Sequence, residues 1–103
     1  MEKKERLNVL ESEVENTILL YESYLSSCAI RTRQMIERKG VIKALEQLVQ
    51  SADYQQGFRK LHEHNQLDKS FEALVIKYSD LFSKNAITWA KFRLENPVAL
   101  KNN

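Results

Sequence analysis

Leu7, Val14, Tyr21, Cys28 and Met35 recur every seven residues, and neither proline nor glycine interrupts the chain before Gly40. Leu10, Ile18, Leu25, Thr32 and Ile36 fill the intervening three- and four-residue steps. This spacing predicts a helix from Leu7 to Lys39 with one apolar stripe. Gly40 supplies the left-handed residue that ends it. From the N-terminus to Lys39 such a helix is roughly 50 Å long at about 1.5 Å per residue, more than a domain of this size covers with its own chain. Two outcomes compete. Either the helix is continuous and its N-terminal half projects to pair with a second copy, or Ser26-Ser27 marks a bend that splits it. The continuous helix is the expectation here, with Leu7, Leu10, Val14, Ile18 and Tyr21 as the seam of a homo-oligomer. Thr17, Tyr21 and Tyr24 are imperfect seam residues by coiled-coil standards.

Shorter helices follow. Val41, Ile42, Ala44, Leu45, Leu48, Val49 and Ala52 form a broad stripe on the second. Asp53, three residues before Gln56, resembles a capping box that opens a third helix through His64, buried on Tyr54, Phe58 and Leu61. Gly57 weakens that helix by roughly 1 kcal/mol relative to alanine and points to close backbone packing. Asp68 is the expected cap of a fourth helix carrying Phe71, Leu74, Val75 and Tyr78. Ser79-Asp80 reads as a turn. Ser83 caps a fifth helix, with Phe82 and Ile87 at the spacing of a hydrophobic staple. Ala86, Ile87, Ala90 and Leu94 give this helix its buried stripe, with Trp89 and Phe92 at the margins, and Asn96-Pro97 ends it. No strand pattern or internal repeat interrupts the series. The fold class is therefore all-α: a long N-terminal helix followed by about four shorter ones in a small bundle. Residues 1–96 make one domain, with 1–39 as the long helix and 41–96 as the compact part; 97–103 are a frayed tail.

Composition narrows the function. Two glycines and one proline in 103 residues disfavour a turn-rich β fold, and 29% charged residues suit a soluble globular chain. The longest apolar runs are too short to cross a bilayer. The first residues, Met-Glu-Lys-Lys-Glu-Arg, lack the apolar segment of a signal peptide. Cys28 is the only cysteine, which fits a reducing cytoplasm. The net charge of +2 hides an asymmetry: residues 1–27 carry three basic and six acidic groups, and residues 28–103 carry thirteen and eight.

Arg31, Met35, Gly40, Ala44, Leu48 and Val49 form the first part of a wider pattern. Gly57-Phe58, Leu67-Asp68 and Glu72-Ala73-Leu74-Val75 form its middle. Leu81-Phe82-Ser83 and Ala90-Lys91-Phe92-Arg93-Leu94 close it. Over this two-thirds of its length the chain resembles a group of short, uncharacterised bacterial all-helical proteins and domains. It departs from them at His62, where the group often has Trp, and at Gln66, where it often has Arg. The resemblance implies the helical fold and no activity, cofactor or site residue.

Catalytic constellations are weak. His62 and His64 flank Glu63, but helical side chains two apart point about 200° apart, whereas a shared metal needs steps of three or four. Cys28 occupies an apolar heptad position, where cysteine behaves as a small buried hydrophobe. Glu11, Glu13, Glu15 and Glu22 read as a solvated face of the first helix. No glycine-rich phosphate loop or nucleophile elbow is present. The expectation is a non-enzyme with no metal, cofactor or small-molecule substrate.

Basic residues are more informative. Arg31, Arg33, Arg38, Lys39 and Lys43 crowd the junction of the first two helices, and Arg59 and Lys60 lie on the third. Cations at a helix C-terminus are favoured by its dipole, and together they suit an acidic partner or a phosphate backbone. The expected function is binding another macromolecule, as a protein-interaction or regulatory protein that self-associates through the long helix. The alternative is a helix-turn-helix DNA- or RNA-binding protein. Its reader would be residues 54–64, with Gln55, Gln56, Arg59 and Lys60 facing the groove.

Overall fold

A computed structural model describes residues 2–24, 26–51 and 56–97, with the side chains of residues 26–28 excepted. The described chain is all-helical: α1 (Lys3–Tyr24), α2 (Ser26–Lys39), α3 (Val41–Gln50), α4 (Gln56–Glu63), α5 (Phe71–Lys77) and α6 (Lys84–Glu95). Single 3-10 turns at Leu67–Lys69 and Ser79–Leu81 flank α5. The Asp53 cap, Tyr54, Gln55, the burial of Cys28 and the tail from Val98 lie outside the described residues.

The expected continuous helix is two helices. α1 ends at Tyr24, α2 starts at Ser26, and α2 folds back along α1. Arg33 Nη2 lies 2.8 Å from Glu15 and Arg33 Nε lies 2.9 Å from Glu22. Along one continuous helix, residues 18 apart would be separated by about 27 Å. Serine favours local hydrogen bonds over helix continuation, and the packing supplies the reason to turn. Folding back places Leu10, Val14, Ile18 and Tyr21 of α1 and Ala29 and Met35 of α2 in one core.

That core overturns the expected oligomer seam. Leu10, Val14, Ile18 and Tyr21 are buried by this chain's own helices, and Leu7 packs at their edge. Nor does the acidic N-terminal half project, because α5 and α4 lie against α1. The radius of gyration, 12.7 Å, is that of a compact domain of about 100 residues. Thr17 Oγ1 donates to the Lys69 carbonyl at 2.7 Å. Tyr21 meets Phe71 edge to face at 5.1 Å. A Cβ on Gly57 would come within 2.7 Å of the Tyr21 ring, so α4 reaches α1 through the glycine.

Local signals set the element ends. Gly40 sits at φ +84° and ψ 163°, a region essentially reserved for glycine, and turns α2 into α3. Asn65, at φ +57°, closes α4. Its N–H bonds the His62 carbonyl, and the Gln66 N–H bonds the Leu61 carbonyl, the paired pattern of a Schellman ending. Ser83 caps α6, accepting from the Ala86 N–H at 3.2 Å. The cap of α5 is Ser70, not Asp68. Ser70 Oγ accepts from the Ala73 N–H at 3.1 Å and donates to the Leu67 carbonyl at 2.7 Å, whereas Asp68 is exposed in the preceding turn.

Helix α5 is short and central, touching α1, α3 and α6. It buries Phe71, Glu72, Leu74 and Val75. On α6 the buried residues are Ala86, Ala90 and Arg93; Ile87 and Leu94 are only half-buried. Among the described residues no helix is long and apolar enough to cross a membrane.

Candidate functional site

The basic cluster expected at the first helix junction is only partly assembled. Arg38 and Lys39 close α2, and Lys43 lies in the first turn of α3. These three are exposed around Gly40, and Lys39 donates to Gln47. Arg33 donates to the Glu15 and Glu22 carboxylates. Arg31 is exposed on α2 and has an interaction of its own. On α4, Arg59 is half-buried and also engaged, and Lys60 lies 3.5 Å from Glu63. The outward side of α4 thus mixes Gln56 and Lys60 with an acid. His64 stacks on Tyr24 with ring centroids 4.4 Å apart. Among the described residues no three His, Cys, Asp or Glu side chains gather as a metal site.

The acidic face expected on α1 is largely a set of cross-links. Glu13 accepts from Tyr78 Oη and from Lys77 Nζ, the latter at 3.0 Å. Arg6 pairs with Asp80 at 2.6 Å and lies over the Tyr78 ring. Burial alone would raise the Glu13 carboxyl, but the hydrogen bonds from Tyr78 and Lys77 outweigh it and hold it below the usual range. Hydrogen bonds from Arg33 lower Glu15 and Glu22, and one from Arg6 lowers Asp80. These groups staple α1 to α2 and to the end of α5, which leaves them poorly placed for acid–base chemistry.

The most deeply buried ion pair among the described residues is not apparent from the sequence reading. Arg93 is 1% exposed and lies 3.0 Å from buried Glu72. Its guanidinium also donates to the carbonyls of Leu48 and Ser51, so a charge on α6 caps the C-terminal end of α3. Among the described residues its Nε has no acceptor. Burial pushes the Glu72 carboxyl up, opposed by the adjacent guanidinium. The signal was available. Arg93 falls on the stripe of Ala86 and Ala90, and Glu72 lies beside Phe71 and Val75 on the inner side of α5. Two opposite charges on buried stripes demand each other.

The outer face of α6 shows the reverse. Trp89 and Phe92 are 43% and 44% exposed and meet edge to face with ring centroids 6.0 Å apart. With Thr88 they line a shallow depression of about 230 Å³. Asn85 and Thr88 are exposed beside them, so this stripe of the helix is uncharged, and Asn96, the C-cap, donates its amide to the Phe92 carbonyl at 3.0 Å. Expected at the margins of the buried stripe, both rings lie on the exposed side of the helix. Ala86, Ala90 and Arg93 occupy the buried side of the helix instead.

No family model, curated protein or solved structure matches this chain. Glu72 and Arg93 form the buried pair, Gly57 seats α4 on Tyr21, and Ser83 caps α6.

Proposed function

We propose that this chain is a non-enzymatic protein that works by binding another protein through the outer face of α6. The observation that carries this reading is the exposed Trp89–Phe92 pair on a charge-free stripe. Large aromatics of this kind dominate the energy of protein contacts, and a monomer gains nothing by leaving them in water. The titratable clusters support the same reading, since Arg33, Glu13 and the Glu72–Arg93 pair are all engaged in holding helices together. Arg38, Lys39 and Lys43 add positive charge at the α2–α3 junction, which favours encounter with an acidic surface.

Affinity capture with the full chain tests this. Trp89→Ser/Phe92→Ser should lose a protein that the parent chain retains in stoichiometric amount. Equal retention by both, or none by either, overturns it. Nucleic acid that co-purifies, dissociates with salt and is lost in Arg38→Ala would favour the helix-turn-helix alternative instead.

A further inference from the structure

We draw no further inference here: the strongest candidate, the uncharged face of α6 around Trp89 and Phe92, belongs to the site already described, and nothing in the structure shows what covers it.

Discussion

Helix α3 buries Val41, Ala44, Leu45, Leu48 and Val49 and turns Lys43, Gln47 and Gln50 outward. Helix α6, packed against it, buries Ala86, Ala90 and Arg93 and turns Trp89 and Phe92 outward. The first arrangement is what monomer folding selects: apolar area leaves water and charges keep it. The second inverts the rule on both faces, for two separable reasons. Inside, small alanines permit close approach, and a guanidinium donates to the Leu48 and Ser51 carbonyls where α3 ends. Outside, two aromatic rings have no such internal justification. Helix α6 is thus divided into an inner face that serves the fold and an outer face that leaves two aromatic rings in water.

The sharpest way to break this division is Arg93→Ala. It strands the Glu72 carboxylate in the core and uncaps α3, and is expected to lower unfolding free energy by about 3–5 kcal/mol in urea titrations. Arg93→Met with Glu72→Leu should recover most of that loss, since apolar replacement of a whole buried pair is tolerated far better than its halving. Leu45→Ala, on the conventional face of α3, should cost about 2–5 kcal/mol by the same measurement. Ser83→Ala removes the hydroxyl that caps α6 and should cost about 1 kcal/mol. Trp89→Ala and Phe92→Ala truncate larger side chains than Leu45→Ala does, yet should cost only about 1 kcal/mol or less. Equal losses at Leu45 and Trp89 would erase the distinction between the helices.

Exposed and buried ion pairs extend the same contrast to pH. In the folded chain Arg33 holds Glu15 and Glu22 below the ordinary glutamate range, and Arg6 does so for Asp80. The unfolded chain therefore takes up protons first as acid is added, near pH 4.3 for glutamate and about 3.9 for aspartate. The contribution of these pairs is complete above those values and is lost as pH falls through the lower folded ones. Glu72 has the opposite sign. Raised by burial, it keeps its proton longer in the folded chain, so its own contribution falls as pH rises through the raised value. Urea midpoints from neutral pH to about pH 3 should show an acid loss that Arg33→Gln makes shallower. An unchanged acid limb in Arg33→Gln would assign that loss to other groups.

Helical class, most element ends and the main core faces were legible in the sequence because they depend on local periodicity and capping. The stripes of α3 and α5 and the caps at Gly40 and Ser83 all follow from residues a few positions apart, and Gly57 signals a close approach without naming Tyr21 as its partner. Asp68 misled because two cap-type residues, Asp68 and Ser70, lie two positions apart, and only the 3-10 turn between them decides which one starts the helix. The candidate site was less legible. Arg33 and Glu15 are 18 residues apart, and Arg93 and Glu72 are 21 apart, so their pairing depends on which helices become neighbours.

By itself, the sequence determined that this chain is a series of amphipathic helices broken near Gly40, before α5 and before α6. Backbone preference and hydrophobic period act within a few residues and need no partner. Tertiary structure alone decided that the heptad stripe from Leu7 to Tyr21 is interior and that the stripe from Asn85 to Phe92 is exterior. Apolar residues at helical spacing seek burial without specifying against what. Here the fold-back of α2 along α1 spends the first stripe on the chain's own core, and Ala86, Ala90 and Arg93 take the buried side of α6, which leaves the second uncovered.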